Sequence, residues 1–135
     1  MIITSWNIRG FNNKGKQRYL TKRIKIEKPQ IMMLQETKIM GENMEKILKN
    51  IKPTYECMML DAKGSAGGIA ILWNPAEVIV DHWIGMKRIL SGRFRMIGQR
   101  EWFLVSMVYG PHIPVEREAF LTQLQWLGNL HIEKL

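Results

Sequence analysis

Hydrophobic positions along the chain follow two periods, and each period predicts one kind of element. Apolar or alternating runs bounded by glycine, proline or other turn residues favour strands. The predicted strands cover residues 2–7, 31–38, 55–60, 68–73, 78–83, 94–97 and 102–109. Apolar residues at helical spacing predict helices over residues 16–28 and 42–51, and a last helix that begins at Pro114.

The predicted order is strand, helix, strand, helix, then a run of strands and a final helix. This order is typical of an α/β sheet that is covered by helices on one face. The 135 residues suffice for one domain with one core, and no linker composition interrupts them. We therefore expect a single α/β domain over residues 1–135.

The first two predicted strands lead into side chains that can bind a metal or a phosphate. Asn7 closes the first strand, and Glu36 follows the apolar run 31–34. In a strand–helix–strand unit the two strands lie parallel, so their carboxyl ends emerge at one edge of the sheet. Ligands bind at such edges, and an amide beside a carboxylate suits Mg²⁺ with a phosphate ester.

Net charge adds an expected partner. Twenty lysines and arginines against twelve acidic residues give a net charge of +8. Nucleic acid is the first expectation and an anionic membrane the second, with a basic protein lacking both as the alternative. The candidate phosphate-binding residues are Lys22 and Arg23 in the first helix, and Arg93 and Arg95. The second pair could instead lie on the solvated face of an edge strand.

Other features of the composition narrow the class of protein. No apolar run approaches eighteen residues, and the N-terminal strand lacks the apolar core of a signal peptide. The one cysteine, Cys57, cannot form an internal disulfide, and its apolar neighbours indicate a buried, unreactive thiol. We expect a nuclear or cytoplasmic protein without a membrane partner.

Three short motifs resemble the opening half of the endonuclease/exonuclease/phosphatase superfamily. They are Ser-Trp-Asn-Ile-Arg-Gly at residues 5–10, Leu-Gln-Glu-Thr-Lys at 34–38 and Val-Tyr-Gly-Pro at 108–111. Residues 64–73 and 116–120 resemble its branch of endonuclease domains from LINE-type (non-LTR) retrotransposons, especially those of plants. The resemblance implies a four-layer α/β sandwich, of which these motifs account for one mixed sheet and its flanking helices.

The resemblance also implies roles for single residues. Glu36 would be the principal Mg²⁺ ligand, Asn7 would orient phosphate or a metal-bound water, and Tyr109 would contact the scissile phosphate. Arg117 is a further candidate for that phosphate. The alternatives are a solvated glutamate at a strand end, an Asx-turn at Asn7, a half-buried aromatic ring and a helix-surface arginine.

The chain departs from the family in the motifs that supply the catalytic base. It contains no Gly-Asp-Phe-Asn or Ser-Asp-His motif, and its only aspartates are Asp61 and Asp81. We therefore expect a truncated domain that lacks the second sheet, with Mg²⁺ binding weak or absent. The expected exposed apolar face, which could support self-association, comprises Ile3, Ile31, Met33, Ile71, Val105 and Met107.

The leading hypothesis is a remnant of a LINE-type endonuclease domain that is inactive alone, with Mg²⁺-dependent nicking of DNA as the ancestral reaction. The first alternative is a non-enzymatic basic module that binds DNA or RNA through residues 14–28 and 87–100. The second is a phosphatase of the same superfamily, which the glycine-rich segment and the basic charge argue against.

Overall fold

The computed structural model describes residues 1–39, 41–51, 53–60, 67–86 and 89–108. The linker 61–66, Tyr109 and the helix predicted from Pro114 lie outside the described residues. The chain divides into two compact units, Met1–Val78 and Ile79–Leu135.

The first unit holds a four-stranded mixed sheet and two helices. Its elements are β1 (Ile3–Asn7), α1 (Lys14–Glu27), β2 (Ile31–Gln35), α2 (Gly41–Ile51), β3 (Glu56–Leu60) and β4 (Ile69–Trp73). The strand order is β1-β2-β4-β3, in which β1 runs parallel to β2 and β4 runs antiparallel to β2 and β3. The predicted α/β class and the predicted parallel pairing of the first two strands are confirmed.

The helices pack on one face of this sheet through the apolar stripes that predicted them. Successive residues of a strand point to opposite faces, so the even-numbered residues of β2 and β4 share one face. These strand residues and the helix stripes form one buried cluster that includes Leu20, Ile24, Met32, Leu34, Met44, Leu48, Ala70 and Leu72. This cluster holds α1 over the two strands that lead to Asn7 and Glu36.

Helix α1 begins two residues before the predicted start because of a local cap. The Asn13 side chain accepts a hydrogen bond from the Lys16 amide at 3.0 Å, which satisfies a free donor of the first turn. The helix ends at Lys28, whose φ of 47° is left-handed, just before Pro29. Hydrophobic periodicity does not report the Asn13 cap, whereas the proline stop is visible in the sequence.

The three later strands form a sheet of their own. They are β5 (Val78–Met86), β6 (Ile89–Met96) and β7 (Trp102–Val108), in the order β5-β6-β7. The predicted hairpin is confirmed: β6 and β7 are antiparallel, and the Gln99 amide donates to the Met96 carbonyl at 3.1 Å in the turn. Strand β6 starts before the predicted residue 94 because Ser91 and Gly92 obscure its apolar pattern.

The expectation of an exposed apolar sheet face is wrong at most of the named positions. Ile31 and Ile71 are 0% exposed, and Val105 and Met107, which belong to the other sheet, are 8% and 2% exposed. Ile3, on the edge strand β1, is 40% exposed. The expectation assumed that all strands extend one sheet, whereas the chain divides its strands between two. In the part that the structure describes, no helix is long and apolar enough to cross a bilayer.

Candidate functional site

Asn7 and Glu36 lie at the same edge of the mixed sheet. In the parallel pairing of β1 with β2, Asn7 is the register partner of Gln35, and Glu36 follows directly. The Ile8 amide donates to the Gln35 carbonyl at 2.9 Å, which continues the pairing one residue past Asn7. The register therefore brings the backbones of the two residues named from the sequence to one edge of the sheet, as the strand–helix–strand geometry predicts.

Glu36 has a left-handed backbone, with a φ of 54°. A residue with a Cβ pays about 1–2 kcal/mol for this conformation, so the surrounding structure must hold it. Such strain concentrates at functional sites, and its presence here favours a functional hypothesis over a solvated strand end.

Hydrogen bonds hold the Glu36 segment from both sides. On the side of β1, the Gly10 amide donates to the Glu36 carbonyl at 2.7 Å and the Phe11 amide to the Thr37 carbonyl at 2.8 Å. On the side of β4, the Thr37 amide donates to the Gly68 carbonyl at 3.2 Å. Thr37 is 2% exposed and Phe11 0%, so this part of the loop is packed as well as bonded.

The first turns of α1 fix the loop that follows Asn7. The Lys16 ammonium donates to the Arg9 carbonyl at 2.9 Å, and the Gln17 side-chain amide donates to the Phe11 carbonyl at 3.0 Å. Arg9 itself is left-handed, with a φ of 50°. The loop after Asn7 therefore bends at Arg9, and α1 holds this bend through the Arg9 carbonyl.

The donor chemistry of the pair fits Mg²⁺. Glu36 is half-buried and Asn7 is exposed, and both present hard oxygen donors. Mg²⁺ at phosphate sites is held by one or two carboxylates and completes its octahedron with water and phosphate oxygens. Within the described residues, no group of three or more His, Cys, Asp or Glu side chains could form a metal cage, so such a site would take most of its ligands from water and substrate.

The predicted phosphate site includes two residues that follow strand β7 in the sequence. Strand β7 ends at Val108, immediately before Tyr109. Tyr109 and Arg117 lie outside the described residues, so their roles stay predictions.

Apart from Lys16, which is bonded to the Arg9 carbonyl, the basic residues of α1 divide into an exposed stripe and a paired arginine. Lys22 is exposed, together with Lys14, Arg18 and Lys25. Residues spaced by four, four and three lie on one face of a helix, and we call these four residues the α1 basic stripe. Arg23 lies elsewhere on the helix and forms an ion pair with Glu27.

Arg93 and Arg95 are engaged within the second unit. The guanidinium groups of Arg93 and Arg95 lie over the Trp102 ring, at 4.6 Å and 5.1 Å from its centre. Arg95 is the register partner of Trp102, and Arg93 lies two residues before Arg95 on the same strand. Arg93 also contacts the Asp81 carboxylate at 3.4 Å, and Arg95 donates to the Gln99 carbonyl at 2.8 Å. Cation–π and ionic contacts hold both side chains on this sheet, so a phosphate would have to compete with existing partners.

The expectation of an unreactive cysteine agrees with its surroundings. Burial, reinforced by the nearby carboxylates Glu45 and Glu56, raises the pKa of the Cys57 thiol to about 11. The thiolate is the nucleophilic form, and at neutral pH almost none is present.

Sequence reasoning missed the contribution of Gly67. The segment before β4 reads as a turn that feeds a strand, yet the Gly67 carbonyl accepts a hydrogen bond from the Lys38 amide at 2.6 Å, and Gly67 is buried. The signal that could have found it is the pair Gly67-Gly68 directly before a strand that pairs with β2.

No protein-family model matches the chain, and no curated protein matches it. Solved structures do share its fold. A functionally unknown conserved protein from Enterococcus faecalis V583 has a TM-score of 0.72 at 20% identity, over 99% of this chain and 63% of that one. An endonuclease/exonuclease/phosphatase family protein from Bacteroides thetaiotaomicron has a TM-score of 0.65 at 17% identity, over 93% and 58%. TDP2 from D. rerio, complexed with single strand DNA product, has a TM-score of 0.64 at 18% identity, over 93% and 52%.

These similarities establish the fold at low sequence identity. Proteins of the endonuclease/exonuclease/phosphatase family are among the structures that share it, as the sequence motifs predict. The chain spans 63%, 58% and 52% of the three proteins compared above.

Proposed function

We propose that this chain carries the Glu36 half of a Mg²⁺-dependent phosphodiesterase site of the LINE-type retrotransposon endonuclease kind, with a nucleic acid as its ligand. The observation that carries the proposal is the placement of a strained, doubly anchored Glu36 beside Asn7 at the carboxyl edge of a parallel strand pair. The shared fold, and the single strand DNA product bound to TDP2, support it.

In this proposal each residue has a separate task. The Glu36 carboxylate holds the cation, and the Asn7 side-chain amide orients a phosphate oxygen or a water beside it. Bound Mg²⁺ would supply charge stabilisation to the phosphate under attack. Tyr109 would donate a hydrogen bond to the same phosphate. The α1 basic stripe would contact the sugar–phosphate backbone of the nucleic acid.

A direct test is whether Glu36 binds a divalent cation. Mn²⁺ added to the ¹⁵N-labelled protein should broaden the amide signals of residues 35–38, because a paramagnetic ion acts only over short distances. Glu36→Gln keeps the shape of the side chain and removes its charge. It should weaken Mn²⁺ binding by at least about 10- to 100-fold, which is the loss typical when only a residue that orients a metal ligand is removed.

Glu101→Gln is the matched control. Glu101 is exposed and belongs to the other unit, and its substitution removes the same negative charge from the protein. It should leave the broadening of residues 35–38 unchanged. The proposal fails when Glu36→Gln and Glu101→Gln shift the Mn²⁺ titration equally, since the ion would then respond to net charge alone.

The 135-residue polypeptide is expected to leave supercoiled plasmid DNA intact in Mg²⁺. Phosphodiester hydrolysis needs an oriented water or base besides the metal, and the sequence holds neither a Gly-Asp-Phe-Asn nor a Ser-Asp-His motif. Gel separation of supercoiled and nicked plasmid measures the outcome. Nicking above background that disappears in Glu36→Ala would contradict the expectation of inactivity while supporting the site.

A second candidate function is a non-enzymatic module that binds nucleic acid through α1. The observation in its favour is the exposed stripe, which has no acidic residue in the first helical turn to neutralise it. Mn²⁺ binding that is unchanged in Glu36→Gln, together with DNA binding that falls when the α1 basic stripe is replaced, would favour this function over the phosphodiesterase site.

A further inference from the structure

Gly67 lies closer to Glu36 than any side chain would allow. A Cβ built on Gly67 would sit 2.7 Å from the Cα of Glu36 and 2.8 Å from its Cγ. Real Cβ atoms essentially never make contacts below 3.0 Å, and the Cα of Glu36 cannot move without moving the backbone. A residue larger than glycine at this position must therefore displace Glu36 or the start of β4.

The same glycine also holds the segment that it approaches. Its carbonyl accepts the Lys38 amide at 2.6 Å, and the next carbonyl, that of Gly68, accepts the Thr37 amide. Lys38 is left-handed like Glu36, each with a φ of 54°. The close approach thus brings the Gly67 carbonyl within hydrogen-bond distance of the Lys38 amide. The backbone of this segment bends at two residues, Glu36 and Lys38.

Other glycines of the chain have a different reason for lacking a side chain. Gly10 and Gly98 have φ values of 101° and 87°, and a Cβ on either would meet nothing within 4 Å. Those two glycines supply backbone freedom at a turn. Gly67 instead supplies space, and the space it supplies is beside the proposed metal ligand.

We infer that Gly67 is a positioning residue, which fixes the left-handed backbone of Glu36 and thereby the direction of its carboxylate toward a divalent cation. The part of the inference that concerns the cation rests on the proposed function. The part that concerns the backbone of Glu36 does not depend on that function. The inference assigns the glycine-rich segment before β4 a role in building the site rather than only in turning the chain.

The test compares Gly67→Ala with Gly98→Ala, a matched control that introduces the same methyl group at a strained turn with open space around it. Two quantities are read from ¹⁵N spectra: the hydrogen-exchange rate of the Lys38 amide, and the Mn²⁺ concentration that broadens residues 35–38. Thermal melting of both variants accounts for any general loss of stability.

In Gly67→Ala, the Lys38 amide should exchange at least about tenfold faster, because its acceptor is displaced. Mn²⁺ binding should weaken by about tenfold or more. Gly98→Ala should change neither quantity, even where its melting temperature falls as far. A Gly67→Ala protein that retains both the slow Lys38 exchange and the wild-type Mn²⁺ affinity overturns the inference.

Failure of the proposed function gives a distinct result. When Glu36→Gln binds Mn²⁺ as the wild type does, the metal role falls, and the Lys38 exchange rate alone decides whether Gly67 positions the backbone. Should Gly67→Ala not fold, it is compared with the double variant that adds Glu36→Gly, which removes the Cβ and Cγ contacts, keeps the 2.7 Å contact with the Cα of residue 36, and relaxes the left-handed backbone so that this Cα can shift. Partial recovery of folding in the double variant supports the inference, and a double variant no more stable than Gly67→Ala overturns it.

Discussion

Replacing the four residues of the α1 basic stripe with glutamine is expected to flatten the salt dependence of binding to single-stranded DNA. Each phosphate that a lysine or arginine neutralises contributes about 0.7 to the slope of log affinity against log salt on a single strand. The four replacements should therefore lower that slope by about 3. Fluorescence anisotropy of a labelled oligothymidylate across a salt series measures it.

The arrangement of the four residues of the stripe, as well as their charge, should contribute to the affinity for single-stranded DNA. Over the range from about 50 to 200 mM salt, four such contacts correspond to about a 50-fold loss of affinity in the wild type. All four side chains are exposed on one face of α1, so they can contact successive phosphates. An affinity of the wild type that stays flat across this range would rule out the electrostatic account.

A pair of double variants separates the stripe from net charge. Arg18→Gln with Lys22→Gln removes two charges from the stripe, and Lys46→Gln with Lys49→Gln removes two exposed charges from α2. The first pair should account for about half of the slope change, and the second should change the slope little. Equal decreases of the slope from both pairs would mean that the electrostatic field of the whole protein, and not α1, attracts the DNA.

The local elements of the fold could be predicted because each carries its own periodic signal. The stripes of α1 and α2 face one core, and the apolar runs of β1, β2 and β4 are short and bounded by turns. Strand pairing could not be predicted in the same way. Alternation identifies which residues of a strand share a face, but not that β4 inserts between β2 and β3 or that β5 begins a separate sheet.

The site was predictable to the extent that it follows from parallel strands. Asn7 and Glu36 lie at one edge of the sheet because β1 and β2 run parallel. The left-handed φ of Glu36 and the close approach of Gly67 depend on hydrogen bonds between segments about thirty residues apart in the sequence. No local sequence pattern predicts them. The ion pair of Arg23 with Glu27 has the i, i+4 spacing that a helix favours and was readable in the sequence.

Replacing Ile71 with alanine is expected to lower the free energy of unfolding by about 2–5 kcal/mol, a large part of the roughly 5–15 kcal/mol of a typical domain. Ile71 is 0% exposed in β4, a strand whose five residues are all buried. The substitution loses the transfer free energy of the deleted carbons and leaves a cavity among packed neighbours. Denaturant unfolding followed by circular dichroism measures the change.

Ile3→Ala is the matched control, because the strand registers place Ile3 and Ile71 on the same face of the same sheet. Ile3 lies on the edge strand and is 40% exposed, so its truncation should cost about 1–2 kcal/mol, less than the truncation of Ile71. Both substitutions lose a β-branched side chain from a strand, so the difference between them measures burial rather than strand propensity. Equal, small costs would mean that this face is open to water in solution, as the absence of the family's second sheet implied, and self-association through it would again be the expectation.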